Sequence, residues 1–163
     1  MTPPPDLRVG QGFDVHRFSG DPGRPLVLGG VVLPGAPGLA GHSDADVVSH
    51  ALAEALLGAA GLGDIGSLFP SGDDRFRGAD SLELLREAYR QARAAGWTLV
   101  NADCVLVGEE PRIAPHREEM RRRLSEALGG GEVNVRATTT DGLGFTGRSE
   151  GLAAHAVALL ERA

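Results

Sequence analysis

The segment His42–Gly63, HSDADVVSHALAEALLGAAGLG, constrains the fold of this 163-residue chain more than any other. Its apolar residues recur at the spacing of one helix face, at Val48, Leu52, Ala55 and Leu56. This spacing predicts an amphipathic helix that packs on a hydrophobic core. Ser43 or Asp44 could cap its start, and Gly61 or Gly63 could end it.

Patterns in the rest of the chain predict strands and three further helices. Leu7–Gly10 begins a strand, and PLVLGGVVLPG is typical of two short strands joined at Gly29-Gly30. The remaining predicted elements are a helix over 81–95, a strand over 98–107, a helix over 115–128, a strand in EVNVRATTT and a closing amphipathic helix in SEGLAAHAVALLERA. This order predicts an α+β or α/β sandwich without a second domain.

Composition and net charge restrict the kinds of molecule that the chain is expected to bind. The net charge of −6 argues against a nucleic-acid groove or an anionic membrane surface, because both reward clustered Lys and Arg. No apolar stretch approaches the length of a membrane span, and MTPPPDLR lacks the apolar part of a signal peptide, so a cytoplasmic protein is expected. The single Cys104 lies in an apolar run and is interpreted as a small core residue.

The stretch GQGFDVHRF contains a candidate metal site. In an extended segment Asp14 and His16 project to one face, and Phe13 and Val15 project to the other. Zinc needs three or four ligands, so His50 of the predicted helix could complete the set and leave one position open. Asp46 shares a helix face with His50, which makes it either an alternative third ligand or a carboxylate that orients the His50 ring. His50 could also be a hydrogen-bonded core histidine.

Two glycine-rich loops, GLGDIGSLFPSGDD and ATTTDGLGFTGRSEG, offer backbone N–H groups among small side chains. The second loop runs into the start of the predicted closing helix, and helix starts bind anions well. Neither loop has the P-loop pattern, so they favour phosphate binding only weakly.

Four motifs in order carry a resemblance to a known family: GQGFDVHRF, HSDADVVSHALAEALLGAAGLGDIGSLFP, GEEPRIAPH and RATTTDGLGFTGRSEG. The chain resembles the 2-C-methyl-D-erythritol 2,4-cyclodiphosphate synthase family of the non-mevalonate isoprenoid pathway. The resemblance implies an α+β fold, a four-stranded sheet with helices packed on one face, in a homotrimer with the sheets around the central axis. It implies one domain over 1–163, in which 1–5 are a disordered extension.

The resemblance also implies the site residues. The zinc ligands are Asp14, His16 and His50, with one zinc ion per subunit. Asp141 holds a second ion, Mg²⁺ or Mn²⁺, that bridges the substrate diphosphate; the family commonly has Glu there, so direct or water-mediated contact stays open. The transition-state stabilisers are His42 and Thr139. The substrate-binding residues are Asp14, His16, His42, Ser43, Asp64, Ile65, Gly66, Phe69, Pro70, Ser71, Gly72, Asp73, Gly108, Glu109, Glu110, Pro111, Arg112, Ile113, Ala114, Thr138, Thr139, Thr140, Asp141, Phe145 and Arg148.

The implied substrate is a small molecule, 4-diphosphocytidyl-2-C-methyl-D-erythritol 2-phosphate, which cyclises with loss of CMP in active sites between subunits. Phe13 and Val15, with Phe145, Arg148 and Glu150, would surround a cavity on the trimer axis able to hold a prenyl diphosphate. Without the resemblance, a zinc-dependent phosphoester hydrolase would be the best reading. A trimeric binding module with a structural metal is a third alternative.

Overall fold

The computed structural model describes residues 1–163 and contains one four-stranded sheet. Its strands lie in the order β1, β6, β4, β5. Only β4 and β5 are parallel, and β6 pairs antiparallel with both of its neighbours. The four strands are β1 (Leu7–Arg17), β4 (Trp97–Val107), β5 (Glu132–Thr138) and β6 (Gly151–Arg162).

Two further strands and five helices complete the fold. The strands β2 (Leu26–Leu28) and β3 (Val31–Leu33) form the predicted hairpin, and the positive φ angles of Gly29 and Gly30 at its turn suit glycine. The helices are α1 (Val47–Ala60), α2 (Ile65–Leu68), α3 (Ser81–Ala94), α4 (Arg117–Ala127) and α5 (Gly144–Gly147), with 3₁₀ turns at Asp74–Phe76 and Ala114–His116. None of the helices is long and apolar enough to span a membrane.

The long helices cover one face of the sheet, and α1 lies directly on β1. A Cβ atom on Gly12 would stand 1.8 Å from the Ala51 carbonyl oxygen, and one on Gly10 would stand 1.9 Å from that of Ala55. Any larger residue at either position would therefore push α1 away from the sheet. This close packing places His50 of α1 over the end of β1 that carries Asp14 and His16.

The opposite face of the sheet is exposed and partly apolar. Phe13 and Val15 project there, away from Asp14 and His16, as the alternation along β1 predicts. The Phe13 ring lies 4.7 Å from the His155 ring of β6, measured between centroids. Val9 and Val157 extend this exposed surface. Cys104 projects to the helix side and is fully buried, which confirms its assignment to the core.

The predicted closing helix is wrong, because SEGLAAHAVALLERA forms the central strand β6. The sequence favours a helix, since Ala and Leu are strong helix formers. In the structure, β6 hydrogen-bonds to β1 and β4, and its alternate residues Leu152, Ala154, Ala156, Ala158 and Leu160 are buried under the helices. Two strand partners and a period of two therefore override the local preference.

The glycine-rich loop between β5 and β6, residues 139–150, consequently does not run into a closing helix. It contains only the four-residue helix α5, so the predicted anion site at the start of a long helix is wrong.

The predicted cap of α1 is also wrong, because Asp46 caps the helix and Ser43 and Asp44 precede it. The fully buried Asp46 carboxylate accepts hydrogen bonds from the N–H groups of Val48 and Ser49 and from the Ser49 hydroxyl. It also accepts the N–H groups of Gly29 and Gly30, at 2.9 and 2.8 Å. Burial raises the pKa of Asp46, and the hydrogen bonds from Ser49 and Gly30 oppose that shift.

Candidate metal centre and adjoining cavity

Asp14, His16 and His50 meet at the end of β1 beneath α1, as the sequence predicts. The ligand atoms of the three residues lie within 4.8 Å of one another. One carboxylate oxygen, Asp14 Oδ2, lies 3.1 Å from His16 Nε2 and 3.0 Å from His50 Nδ1. Donors of a tetrahedral zinc ion stand about 3.3 Å apart, given zinc–ligand distances near 2.0–2.1 Å. The two imidazoles and the carboxylate therefore suit a zinc ion in donor type and in spacing.

The contact of Nδ1 in the His16 ring determines which ring nitrogen can bind a metal ion. His16 Nδ1 lies 2.7 Å from the carbonyl oxygen of Ala40, which can only accept a hydrogen bond. Nδ1 therefore carries a proton, so Nε2 is the nitrogen whose lone pair a metal ion at the triad would take. Such a hydrogen bond from the outer nitrogen is a common feature of metal-binding histidines.

Asp14 and His16 each stabilise the charged form of the other. Burial acts to raise the pKa of Asp14, but hydrogen bonds from His16 and His50 outweigh it and lower that pKa to about 2. Burial acts to lower the pKa of His16, but the hydrogen bond and charge of Asp14 outweigh it and raise that pKa. Asp14 is thus ionised at neutral pH and attracts a cation.

Asp46 is neither a ligand nor the orienting carboxylate of His50, so both of its predicted roles are wrong. Its carboxylate is committed to the cap of α1 and to the β2–β3 turn. The outer nitrogen of His50, Nε2, instead lies 2.7 Å from the Ser81 hydroxyl and 3.2 Å from the Ser43 hydroxyl. Ser81 is the first residue of α3 and is fully buried.

A cavity of about 430 Å³ adjoins the triad and collects many of the predicted substrate-binding residues. His16 and His50 form part of its wall, and segment 65–72 forms another part. Its lining residues are His16, His42, Ser43, His50, Ile65, Gly66, Phe69, Pro70, Ser71, Gly72, Phe76 and Leu84. Asp64 and Asp73 support this wall, because Asp64 caps α2 and Asp73 caps the 3₁₀ turn that follows.

The loop that carries His42 and Ser43 is held from both sides. The Arg24 guanidinium donates to the carbonyl oxygens of Leu39, Gly41 and Ser43, the last at 2.6 Å. His42 Nε2 lies 2.9 Å from the Asp73 carbonyl oxygen, so it carries a proton and acts as a donor. His42 is therefore half-buried in the cavity wall rather than a loop histidine in water.

The remaining predicted site residues lie elsewhere and do not line this cavity. Gly108 N–H donates to the Thr138 carbonyl oxygen, and Glu109 accepts from Gly142 N–H at 3.1 Å. These contacts bring the segment Gly108–Ala114 beside the loop that carries Thr138, Thr139, Thr140 and Asp141. Thr139 and Asp141 are exposed, and the Thr139 hydroxyl lies 3.3 Å from the Asp141 carboxylate.

Phe145 and Arg148 lie in a third place, separate from the metal cavity. Phe145, Val15 and Glu150 line a second hollow of about 570 Å³, which His16 also borders. Arg148 pairs with Glu150 at 2.8 Å.

Sequence reasoning missed Arg24, Ser81, Phe76 and Leu84. Arg24 and Ser81 act through loop carbonyls and side chains distant in sequence, and neither belongs to a recognisable motif. Phe76 and Leu84 are apolar, and nothing in the sequence separates them from ordinary core residues.

Comparison with known proteins identifies relatives over nearly the whole chain. The YgbB family profile matches residues 7–161. The 2-C-methyl-D-erythritol 2,4-cyclodiphosphate synthase of Rubrobacter xylanophilus is 61% identical over 160 residues, 96% of each chain. That of Moorella thermoacetica is 58% identical over 156 residues, 94% of each chain. A solved Plasmodium falciparum protein in complex with CDP superposes with a TM-score of 0.82 at 28% identity and covers 98% of this chain and 99% of its own.

Proposed function

The chain belongs to the YgbB family, and we propose that it converts 4-diphosphocytidyl-2-C-methyl-D-erythritol 2-phosphate into 2-C-methyl-D-erythritol 2,4-cyclodiphosphate with release of CMP. The observation that carries the proposal is the convergence of Asp14, His16 and His50 at a cavity, in a chain 58–61% identical to two such synthases. The enzyme is then a phosphorus–oxygen lyase that forms a ring.

The reaction needs little acid–base chemistry from the protein. The 2-phosphate of the substrate attacks the β-phosphorus, the bond from that phosphorus to the CMP oxygen breaks, and CMP leaves. The attacking phosphate is already anionic at neutral pH, so the protein must mainly align the two phosphates and balance charge. Neither Lys nor Arg lines this cavity, which is consistent with the use of metal ions to balance the charge.

The residues of the metal cavity receive distinct roles. His42 and Ser43 are assigned to the 2-phosphate, to which Ser43 can donate its hydroxyl, and the contacts of Arg24 and Asp73 hold the loop of these two residues in place. Segment 64–73 encloses the methylerythritol group. Zinc on Asp14, His16 and His50 would polarise the β-phosphate, and Mg²⁺ or Mn²⁺ near Asp141 would neutralise the α- and β-phosphates.

The cytidine end of the substrate is assigned to Gly108–Ala114 and to Thr138–Asp141. Thr139 donates its hydroxyl to the phosphoryl group as charge shifts in the transition state. These residues do not line the metal cavity of the same chain, so we propose a homotrimer in which they complete the metal cavity of a neighbouring subunit. The exposed apolar face with Phe13, Val15 and Val157 would then pack around the central axis.

Incubation of the purified protein with the cytidyl substrate, Zn²⁺ and Mg²⁺ tests the function. Cyclic diphosphate and CMP in equal amounts, measured by ³¹P NMR and chromatography, are the expected products. A linear product with an added water would instead support the phosphoester hydrolase. No turnover by metal-loaded protein would support a binding module with a structural metal.

A further inference from the structure

The outer nitrogen of His50 faces two hydroxyl groups, which leaves its protonation undetermined by the contact alone. Nε2 lies 2.7 Å from Ser81 Oγ and 3.2 Å from Ser43 Oγ. A hydroxyl can donate to an imidazole nitrogen or accept from it. His16 differs, because its outer nitrogen faces the Ala40 carbonyl oxygen, which only accepts. For His50, another group must determine whether Nε2 donates or accepts.

The carboxylate of Asp44 determines the direction in which the Ser81 hydroxyl donates. The Ser81 hydroxyl donates to Asp44 Oδ1, and Ser81 N–H donates to Asp44 Oδ2 at 3.0 Å. The N–H of Asp46 also donates to Asp44 Oδ1, at 3.1 Å, so this carboxylate is held in position by three donors. An ionised carboxylate can only accept, so the single proton of the Ser81 hydroxyl points at Asp44.

Proton counting along the chain of contacts then fixes Nε2 of His50 as a donor. Because Ser81 Oγ has given its proton to the bond with Asp44, it can only accept from His50 Nε2. Nε2 is therefore a donor. A metal ion at the triad would take the lone pair of Nδ1, which lies 3.0 Å from Asp14 Oδ2, and the neutral ring would then keep its proton on Nε2, where Ser81 Oγ accepts it. Without Asp44, the Ser81 hydroxyl could turn and donate to Nε2, and the proton would then sit on Nδ1 and block the metal position.

We propose that Asp44 and Ser81 are positioning residues that hold His50 in the tautomer able to bind the metal ion. This inference rests on the proposed function only through the assignment of Asp14, His16 and His50 as ligands. It replaces Asp46 with Asp44 as the orienting carboxylate and places Ser81 between that carboxylate and the ring. The same contacts tie the start of α3 to α1, so the ligand is held by two helices.

The arrangement has a consequence for Ser43. Its oxygen accepts from Ala45 N–H at 3.2 Å and lies at the same distance from the protonated Nε2 of His50. Both neighbours are donors, so the Ser43 hydroxyl proton is free to point into the cavity, where it can donate to a phosphate oxygen of the substrate.

Metal binding by Ser81→Ala and by the matched control Ser49→Ala tests the proposal. Ser49 is also fully buried and also donates its hydroxyl to an aspartate at a helix start, but that aspartate is Asp46, and the Ser49 side chain makes no hydrogen bond with the His50 ring. Zinc affinity is measured by chelator competition, and cobalt affinity by the visible absorption of the bound ion. Ser81→Ala should weaken both affinities about 10- to 100-fold, and Ser49→Ala should leave them unchanged.

Two further measurements separate positioning from general loss of structure. In metal-free protein, ¹⁵N NMR of the imidazoles should report a proton on Nε2 of His50 in the wild type and a lower occupancy of that proton in Asp44→Ala, whatever proton Nδ1 shares with Asp14. In the Ser81→Ala background, Asp44→Ala should cause little further loss of affinity, because the path is already broken.

Equal metal affinity in Ser81→Ala and wild type, or an unchanged proton on Nε2 of His50 in Asp44→Ala, would overturn the positioning role alone. Wild-type protein that takes up no zinc or cobalt would overturn the metal site itself and this inference with it.

Discussion

Each histidine of the triad is prepared for metal binding by the partner of its outer nitrogen. For His16 that partner is the Ala40 carbonyl oxygen, and for His50 it is the Ser81 hydroxyl. Asp14 completes the site with a carboxylate whose pKa of about 2 keeps it ionised. Removal of one ligand would leave two protein donors, too few for a stable tetrahedral site.

His50→Ala and His16→Ala should therefore each lower the bound zinc from about one ion per chain to a small fraction, while the far-UV circular dichroism stays native. His116→Ala is the control, because His116 lies beside α4 and makes no contact with the triad. The bound zinc is measured by atomic emission after dialysis against a weak chelator. One zinc per chain together with normal turnover in His50→Ala would remove His50 from the ligand set.

Thr139→Ala should lower kcat about tenfold to a thousandfold and change KM little, because a donor aimed at the phosphoryl group matters most as charge redistributes in the transition state. Thr139→Ser keeps the hydroxyl and should recover most of kcat. Steady-state kinetics on the cytidyl substrate provide the measurement. A rise in KM with unchanged kcat would make Thr139 a binding residue only.

The sequence predicts some of these residues well and others not at all. Asp14 and His16 follow from the period of two in an extended segment, and His50 follows from the helix that carries it. Ser81 and Asp44 are 37 residues apart in sequence, and their contact exists only because α3 begins beside the loop before α1. No local pattern encodes such a contact. Helical spacing instead favours Asp46 as the carboxylate that orients His50, and that prediction is wrong.

At the scale of elements, the helices and most strands are predictable because each has its own period and end signals. The strand β6 is the exception. Its Ala-rich sequence satisfies a helix locally, and only pairing with β1 and β4 makes it a strand. Its buried alanines and the glycines of β1 share one physical role, since small residues let α1 lie close to the sheet.

Gly12→Ala should destabilise the protein by at least about 3 kcal/mol, the upper range for overpacking, because the new Cβ would collide with the backbone of α1 at Ala51. Gly20→Ala is the control, since its Cβ would meet no atom within 4 Å and should change stability by less than about 1 kcal/mol. Urea unfolding followed by circular dichroism measures both. Equal midpoints for the two variants would contradict the close contact of β1 with α1.

Asp46→Ala should cost about 3–5 kcal/mol, because it removes the cap of α1 and also leaves the buried N–H groups of Gly29 and Gly30 without an acceptor. Asp80→Ala removes the exposed cap of α3, which serves only Leu82 N–H, and should cost about 1 kcal/mol. The comparison uses the same urea titration. A cost of only about 1 kcal/mol for Asp46→Ala would mean that the link from α1 to the hairpin contributes little.

At the scale of the whole molecule, the site residues of one chain fall into separate groups. The metal cavity adjoins the triad and is lined in part by segment 65–72, whereas Gly108–Ala114 and Thr139 lie together outside it. A substrate that reaches from the metal to the cytosine must contact both groups. A symmetric trimer would repeat one interface three times, so three identical composite sites would form.

Co-refolding of two inactive variants in equal amounts should restore about a quarter of the wild-type activity if each site is shared between two chains. One variant carries His16→Ala and keeps its cytidine segment. The other carries Thr139→Trp and keeps its metal site; Thr139 is exposed, so the bulky side chain blocks the pocket without entering the core. With random mixing, one interface in about four pairs an intact metal site with an intact cytidine segment.

As control, His16→Ala mixed with a chain carrying both substitutions should stay inactive, since no interface can then contain an intact metal site. Native mass spectrometry verifies that mixed trimers form. Mixed trimers of the two single variants that form but stay inactive would mean that each active site lies within one chain.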